Sequence, residues 1–302
     1  MTRMAWKKEV ENAPWCRRDS AGEVVFGGRM WILGGYSPGR LNDVWSTEDG
    51  IHWDEVTPSA HWPGRNLPGC LVHDEKIWIM GGADSSGMGS LADIWCSRDG
   101  ENWEMVQERA PWGPRVAPAA LSFGDRIWVM GGFDIRDFSH YPDIWSSEDG
   151  ITWERVCQRA PWGSRAMHGS VVFEGRMWII GGGIYDTSRP FNTVEDYGDV
   201  WASADGFNWD RISEGAGWVP RRFHSTVVHD SKIWIISGYH RGNRNDVWCS
   251  EDGARWKEVE IVPRWSPRHE PMCLVFGGCI WLMGGFGERL YNDVWSSQPA
   301  RI

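Results

Sequence analysis

The chain has 302 residues, 41% of them hydrophobic, and its acidic side chains outnumber its basic ones by 10. That acidity argues against a general nucleic-acid or anionic-membrane binder, and no apolar run approaches transmembrane length. Seven cysteines, an odd number without a bridging pattern, and no apolar signal region before Trp6 point to a soluble cytoplasmic protein, expected to be a monomer.

In chain order the elements repeat. Each of the 24 tryptophans occupies one of four slots in a motif that recurs six times, with repeats starting near residues 16, 63, 113, 163, 219 and 266. A period of 47 to 56 residues signals a propeller or solenoid, so the whole of 1–302 reads as one domain. One repeat begins at Arg165, runs through the apolar stretch Val171–Phe173 and a tight turn, then through Met177–Ile180 to Gly181-Gly182. These runs predict two short strands. After a loop come Asp199-Val200-Trp201 and a Ser-x-Asp-Gly-x-x-Trp segment ending at Trp209. Asp-Gly between apolar runs predicts a type I′ hairpin, since both central residues of that turn need a positive φ. Each repeat is therefore expected to be a four-stranded antiparallel meander, strands a to d.

One such sheet cannot bury both faces alone, whereas six packed around an axis can. The expected fold is all-β, a six-bladed β-propeller of four-stranded antiparallel blades. Its last repeat stops at Trp295-Ser296-Ser297-Gln298-Pro299, where an Asp-Gly turn and a final strand should follow. Ala5-Trp6 to Ala13-Pro14-Trp15 matches Thr152-Trp153 to Ala160-Pro161-Trp162 in spacing. The N-terminal strand, residues 4–12, is thus predicted to complete the last blade and close the ring, although Val10 stands one residue out of step with its counterparts.

The Gly-Gly after an apolar strand, the aromatic of strand c and the tryptophan of strand d make the chain resemble kelch-repeat β-propellers over nearly its whole length. Ser237-Gly238 replaces Gly-Gly in the fifth repeat. The Ser-x-Asp-Gly-x-x-Trp hairpins are also similar to the Asp-box turns of sialidase propellers, one residue shorter.

The loops joining d to a and b to c should share one face, and binding residues concentrate on longer loops over a rigid scaffold. That face carries a ring of arginines, Arg18, Arg65, Arg115, Arg165, Arg221 and Arg268, each three residues after a tryptophan such as Trp162 or Trp218. Two readings stand side by side. The guanidinium forks and indoles could form an anion-binding funnel, or each arginine could pair with the Asp of Asp-x-Trp. The long loops of repeats two to four carry Asp84, Asp134, Asp137, Asp186, Glu195 and Asp196 with Arg136 and Arg189, facing Arg40, Arg241, Arg244 and Arg289 on short loops. An acidic and a basic side would suit a zwitterionic or peptide partner.

His168 and His224 follow ring arginines by three residues in neighbouring repeats, beside the additional Arg222, and His269, Glu270 and Tyr185 are further irregular residues of this rim. His73 and His229 fall where phenylalanine stands elsewhere and read as core. No metal-ligand spacing, phosphate loop, serine elbow or Cys-x-x-Cys occurs, so neither metal nor cofactor is expected.

The leading expectation is a binding module for a peptide, a partner protein or an acidic small molecule. The alternative is an isomerase or hydrolase of an acidic carbohydrate, as the likeness to propellers of sialic-acid mutarotation or sialidase type implies. His168 or His224 would then move protons beside Arg222. The copper-radical oxidases of related propellers fit poorly, because their Tyr, Tyr, His, His set cannot be placed. A third reading, docking through the tight-turn face, ranks below both.

Overall fold

The structure, a computed structural model, describes residues 2–85, 89–186 and 193–298. Every regular element in it is a β-strand, and no helix among the described residues is long and apolar enough to cross a membrane. The first repeat forms a four-stranded sheet in chain order, Gly22–Phe26, Arg29–Ser37, Gly39–Thr47 and Asp54–Thr57, with antiparallel neighbours. Repeats two, three and four each form a separate four-stranded sheet of the same kind.

Repeats five and six differ, and the expected set of six separate blades is corrected by them. Their strands make one continuous eight-stranded sheet, in which Lys257–Val262, the N-terminal strand Thr2–Val10 and Val294–Ser297 lie side by side. The cause is the length of the N-terminal strand, nine residues where the other outer strands have four to six. Trp6 to Val10 pair antiparallel with Ser297 to Val294, in the place the last repeat leaves vacant. Thr2 to Ala5 run on beyond that partner and pair in parallel with Val259 to Val262. A register shift between Lys8 and Val10 absorbs the residue that put Val10 out of step. The architecture is thus propeller-like, with four separate blades and an eight-stranded sheet. The innermost strands of successive repeats touch, and Met272–Phe276 of the last touches Gly22–Phe26 of the first.

Tight turns and tryptophans set the packing. The type I′ geometry appears in the ab turns rather than at Asp-Gly. In pairs such as Asp74-Glu75 and Glu174-Gly175, both residues have φ between 47° and 65°. At the cd turns only the glycine is left-handed, with φ of 70° to 76°. The aspartate instead folds the turn with its side chain, as Asp149 Oδ1 accepts from the amides of Ile151 at 2.8 Å and Thr152 at 2.7 Å. Those amide bonds hold the Asp149 carboxyl below its ordinary range.

The turn glycine is required for a second reason. Gly100, Gly150, Gly206 and Gly253 lie against Trp31, Trp78, Trp128 and Trp178 of the preceding repeats, and Gly50 lies against Trp281 of the last, where a Cβ would come within 2.1 to 2.4 Å of the indole. Each covered tryptophan removes roughly 150 to 250 Å² from water, an upper bound of several kcal/mol.

Candidate functional site

All six ring arginines are withdrawn from solvent, with at most 2% of their surface exposed. In the fourth repeat Arg165 Nη1 donates to the Gly181 carbonyl at 3.0 Å and to Asp199 Oδ1 at 2.7 Å, while Nη2 reaches Asp199 Oδ2 at 3.0 Å. Trp201 Nε1 donates to the same Oδ2 at 2.7 Å. Arg18, Arg65, Arg115, Arg221 and Arg268 repeat the arrangement with Asp43, Asp93, Asp143, Asp246 and Asp293. Burial alone would raise the carboxyls of Asp199 and Asp246, but the hydrogen bonds and charge of Arg165 and Arg221 outweigh it and hold both low. The anion-binding reading of the ring is therefore corrected, because every guanidinium is already occupied by a carboxylate and a carbonyl. Trp162 and Trp218, each 3% exposed, pack under Arg165 and Arg221 and offer no free stacking face.

Two residues beyond each ring arginine the chain turns left-handed at Ser20, Leu67, Ala117, Met167, Phe223 and Glu270, with φ of 50° to 57°. Their backbones bond around the axis. Leu67 N donates to Ser20 O, Ala117 N to Leu67 O, Phe223 N to Met167 O and Glu270 N to Phe223 O at 2.8 to 3.0 Å, and Ser20 N reaches Glu270 O at 3.4 Å. These six residues, bonded in sequence except between Ala117 and Met167, form a throat that lines a cavity of about 220 Å³ among the inner strands.

His168 and His224 line that inner cavity; among the described residues the ring nitrogens of His168 have no hydrogen-bond partner, and His224 has only the Ile180 backbone within reach. Burial first, then the nearby guanidinium of Arg165 or Arg221, pushes each imidazole down to about 3. Both are thereby held in the neutral form. His73 and His229 are half-buried rather than in the core.

Arg222 faces the other side of the throat. It lines a cup of about 510 Å³ with Tyr185, Asp196, Phe223, Tyr239, His240, Arg241 and His269. Arg222 is only 4% exposed, with its guanidinium 4.9 Å from the Tyr239 ring and 5.6 Å from the rings of Tyr185 and Phe223. Nη1 donates to Asp196 Oδ1 at 2.5 Å, and Asp196 Oδ2 lies 2.8 Å from His240 Nδ1. The Nε of Arg222 is buried without an acceptor among the described residues.

The loops of repeats two to four build an aromatic and aliphatic wall on which Asp137 and Glu195 remain exposed, while other expected rim acids are paired. Phe133, Phe138 and Tyr185 cluster with Val116, Ala166 and Met167. Asp134, expected on an acidic rim, is 4% exposed and is bonded by Arg136 and Ser90. Asp196 is paired with Arg222 across the supposed divide, and Arg40 donates to Asn66 Oδ1 at 2.6 Å. Arg189 and the side chain of Asp186 lie outside the described residues.

His269 and Glu270 meet a residue that sequence reasoning missed. Asp19 stands one position after its ring arginine, as His269 does, and the closure of the chain brings the first and last repeats together. Oxygens of Asp19 and Glu270 and a nitrogen of His269 lie within 4.8 Å of one another. Ser20 Oγ is 2.9 Å from Asp19 Oδ1 and also bonds Glu270 Oε2. A hydroxyl has one proton to donate, so the second of these bonds requires a proton on a carboxyl. Burial, followed by the charge of Asp19, raises Glu270 well above its ordinary value, and burial raises Asp19 to about 6. Burial, then Arg222, pushes His269 down to about 4, and its Nδ1 lies 2.6 Å from Asn243 Oδ1. The signal in the sequence was the pair of slots following each ring arginine, where polar residues break an otherwise regular repeat.

Comparison with protein-family models and with curated proteins finds no match to this chain.

Proposed function

We propose that the chain is a binding module of kelch-repeat type whose loop-bearing face holds a small molecule through a carboxylate or similar anionic group on Arg222. The observation that carries this reading is the buried guanidinium in an aromatic cup, with one nitrogen given to Asp196 and Nε left without an acceptor among the described residues. A buried unsatisfied donor costs about 1 to 3 kcal/mol, which an incoming carboxylate offsets with a charge-assisted bond. Arg241 adds a second positive charge to the lining, and Tyr185, Phe223 and Tyr239 offer flat apolar surface to the body of the ligand.

A thermal-shift screen with small mono- and dicarboxylates and inorganic phosphate tests it. A ligand at about 100 times its dissociation constant adds roughly 2.7 kcal/mol of apparent stability. The shift should vanish in Arg222→Gln and persist in Arg211→Gln, a change on an outer strand. A shift that survives Arg222→Gln, or no shift with any of these anions, overturns the reading.

A further inference from the structure

We propose that Asp19, His269 and Glu270 form a binding site for one first-row divalent transition-metal ion at the throat. The three side chains already converge, with one candidate ligand atom from each within 4.8 Å of the others. One imidazole and two carboxylates are a donor set for zinc or manganese, and three protein ligands leave an open position for water or an anion. Such a position would border the cup, because His269 lines it.

Two independent features separate this cluster from an ordinary group of acids. The first is the state of Asp19. Five aspartates are buried, and Asp93, Asp134, Asp199 and Asp293 each have an arginine partner, whereas Asp19, 6% exposed, forms no ion pair with any described residue. Its carboxyl is bonded by the Ser20 hydroxyl and by a backbone amide, with no cation beside it among the described residues. A buried carboxylate without a cation is costly, and pairing or metal coordination is what relieves it. The second is the orientation of His269. Its Nδ1 lies 2.6 Å from Asn243 Oδ1, an oxygen that can only accept, so a proton on Nδ1 is the tautomer that satisfies this contact and Nε2 is the candidate ligand atom. That is how a metal-ligating imidazole is held by an outer hydrogen bond. The guanidinium of Arg222 opposes a cation here, since its charge is felt at both His269 and Glu270. Metal binding would release the carboxyl proton that the Ser20 bonds require, and the pairing of Arg222 with Asp196 counters part of that opposition.

The test is calorimetric titration of ZnCl2 and MnCl2 into EDTA-treated, dialysed protein. One ion per chain is expected, with the dissociation constant raised at least tenfold in Asp19→Asn and in Glu270→Gln. Arg222→Gln should bind the metal more tightly while losing anion binding, so failure of this site and failure of the anion cup are read separately. If a variant does not fold, the unaltered protein still decides. Bound Co2+ should give visible absorption bands that ZnCl2 removes. No stoichiometric ion, affinity unchanged by Asp19→Asn and Glu270→Gln, or no Co2+ bands overturns the proposal.

Discussion

Arg165 and Arg222 stand at the same end of neighbouring repeats, and their surroundings give them opposite parts. Arg165 has the Asp199 carboxylate, itself bonded by Trp201, and the Gly181 carbonyl closed around it, so its charge is consumed by the fold. Arg222 follows a ring arginine by one residue and, among the described residues, has a single carboxylate contact and no acceptor for Nε. The histidines are equally revealing. Their folded values of about 3 lie below the unfolded value near 6.5, so the unfolded chain binds the proton first. Their contribution to stability is full above pH 6.5 and is lost as pH falls toward 3. The half-buried Glu23, raised to about 8 by desolvation, and Asp19, raised to about 6, act in the opposite sense and gain stability as pH falls. Comparing a variant with the parent protein cancels those carboxyls. His168→Pro restores the residue that three other repeats have at this slot. Urea titrations should show it losing about 2 kcal/mol less than the parent between pH 7 and pH 5. An unchanged difference would mean that His168 is protonated in the folded state.

At the level of elements, the fifth repeat shows how a broken motif is compensated. Ser237 takes the place of the first glycine and keeps its left-handed backbone, φ 60°. Its Oγ accepts from Trp265 Nε1 at 2.9 Å, a bond that the corresponding Trp15, Trp62, Trp112, Trp162 and Trp218 lack. Ser237→Gly removes that bond, worth about 1 kcal/mol, but relieves left-handed strain of about the same size. Ser237→Ala removes the bond and keeps the strain. Chemical denaturation should therefore place the alanine variant about 1 kcal/mol below the glycine variant. Equal stabilities would show that the strain term is negligible. The ab and cd turns teach a related lesson. Asp-Gly predicted a hairpin at the right place with the wrong backbone, because the aspartate side chain supplies the turn's hydrogen bonds and only the glycine needs a positive φ.

For the whole molecule, closure rests on two different joints made by one strand. The antiparallel joint places Trp6, 3% exposed, against Trp265 with ring centroids 4.7 Å apart. The parallel joint of Thr2 to Ala5 with Val259 to Val262 adds backbone pairing without a second buried tryptophan. Trp6→Ala should cost about 3 to 5 kcal/mol by urea denaturation. Removal of residues 1–5 should cost clearly less and leave a single transition. A truncation as damaging as Trp6→Ala would make the parallel joint the main closure.

The sequence by itself determined the repeats, the all-β meander, the antiparallel pairing of the N-terminal strand and the rim on which polar residues break the pattern, because each rests on local spacing and short-range burial. Arg222, His269 and Glu270 were legible in this way, as departures from a regular motif. Only the tertiary structure decided that the ring arginines are sealed by aspartates, that repeats five and six fuse into one sheet and that Asp19 meets His269 and Glu270. Those outcomes depend on contacts between residues tens to hundreds of positions apart. Which carboxylate reaches which arginine, and how far one strand overruns its partner, are set by packing around the whole ring, and no local pattern encodes them.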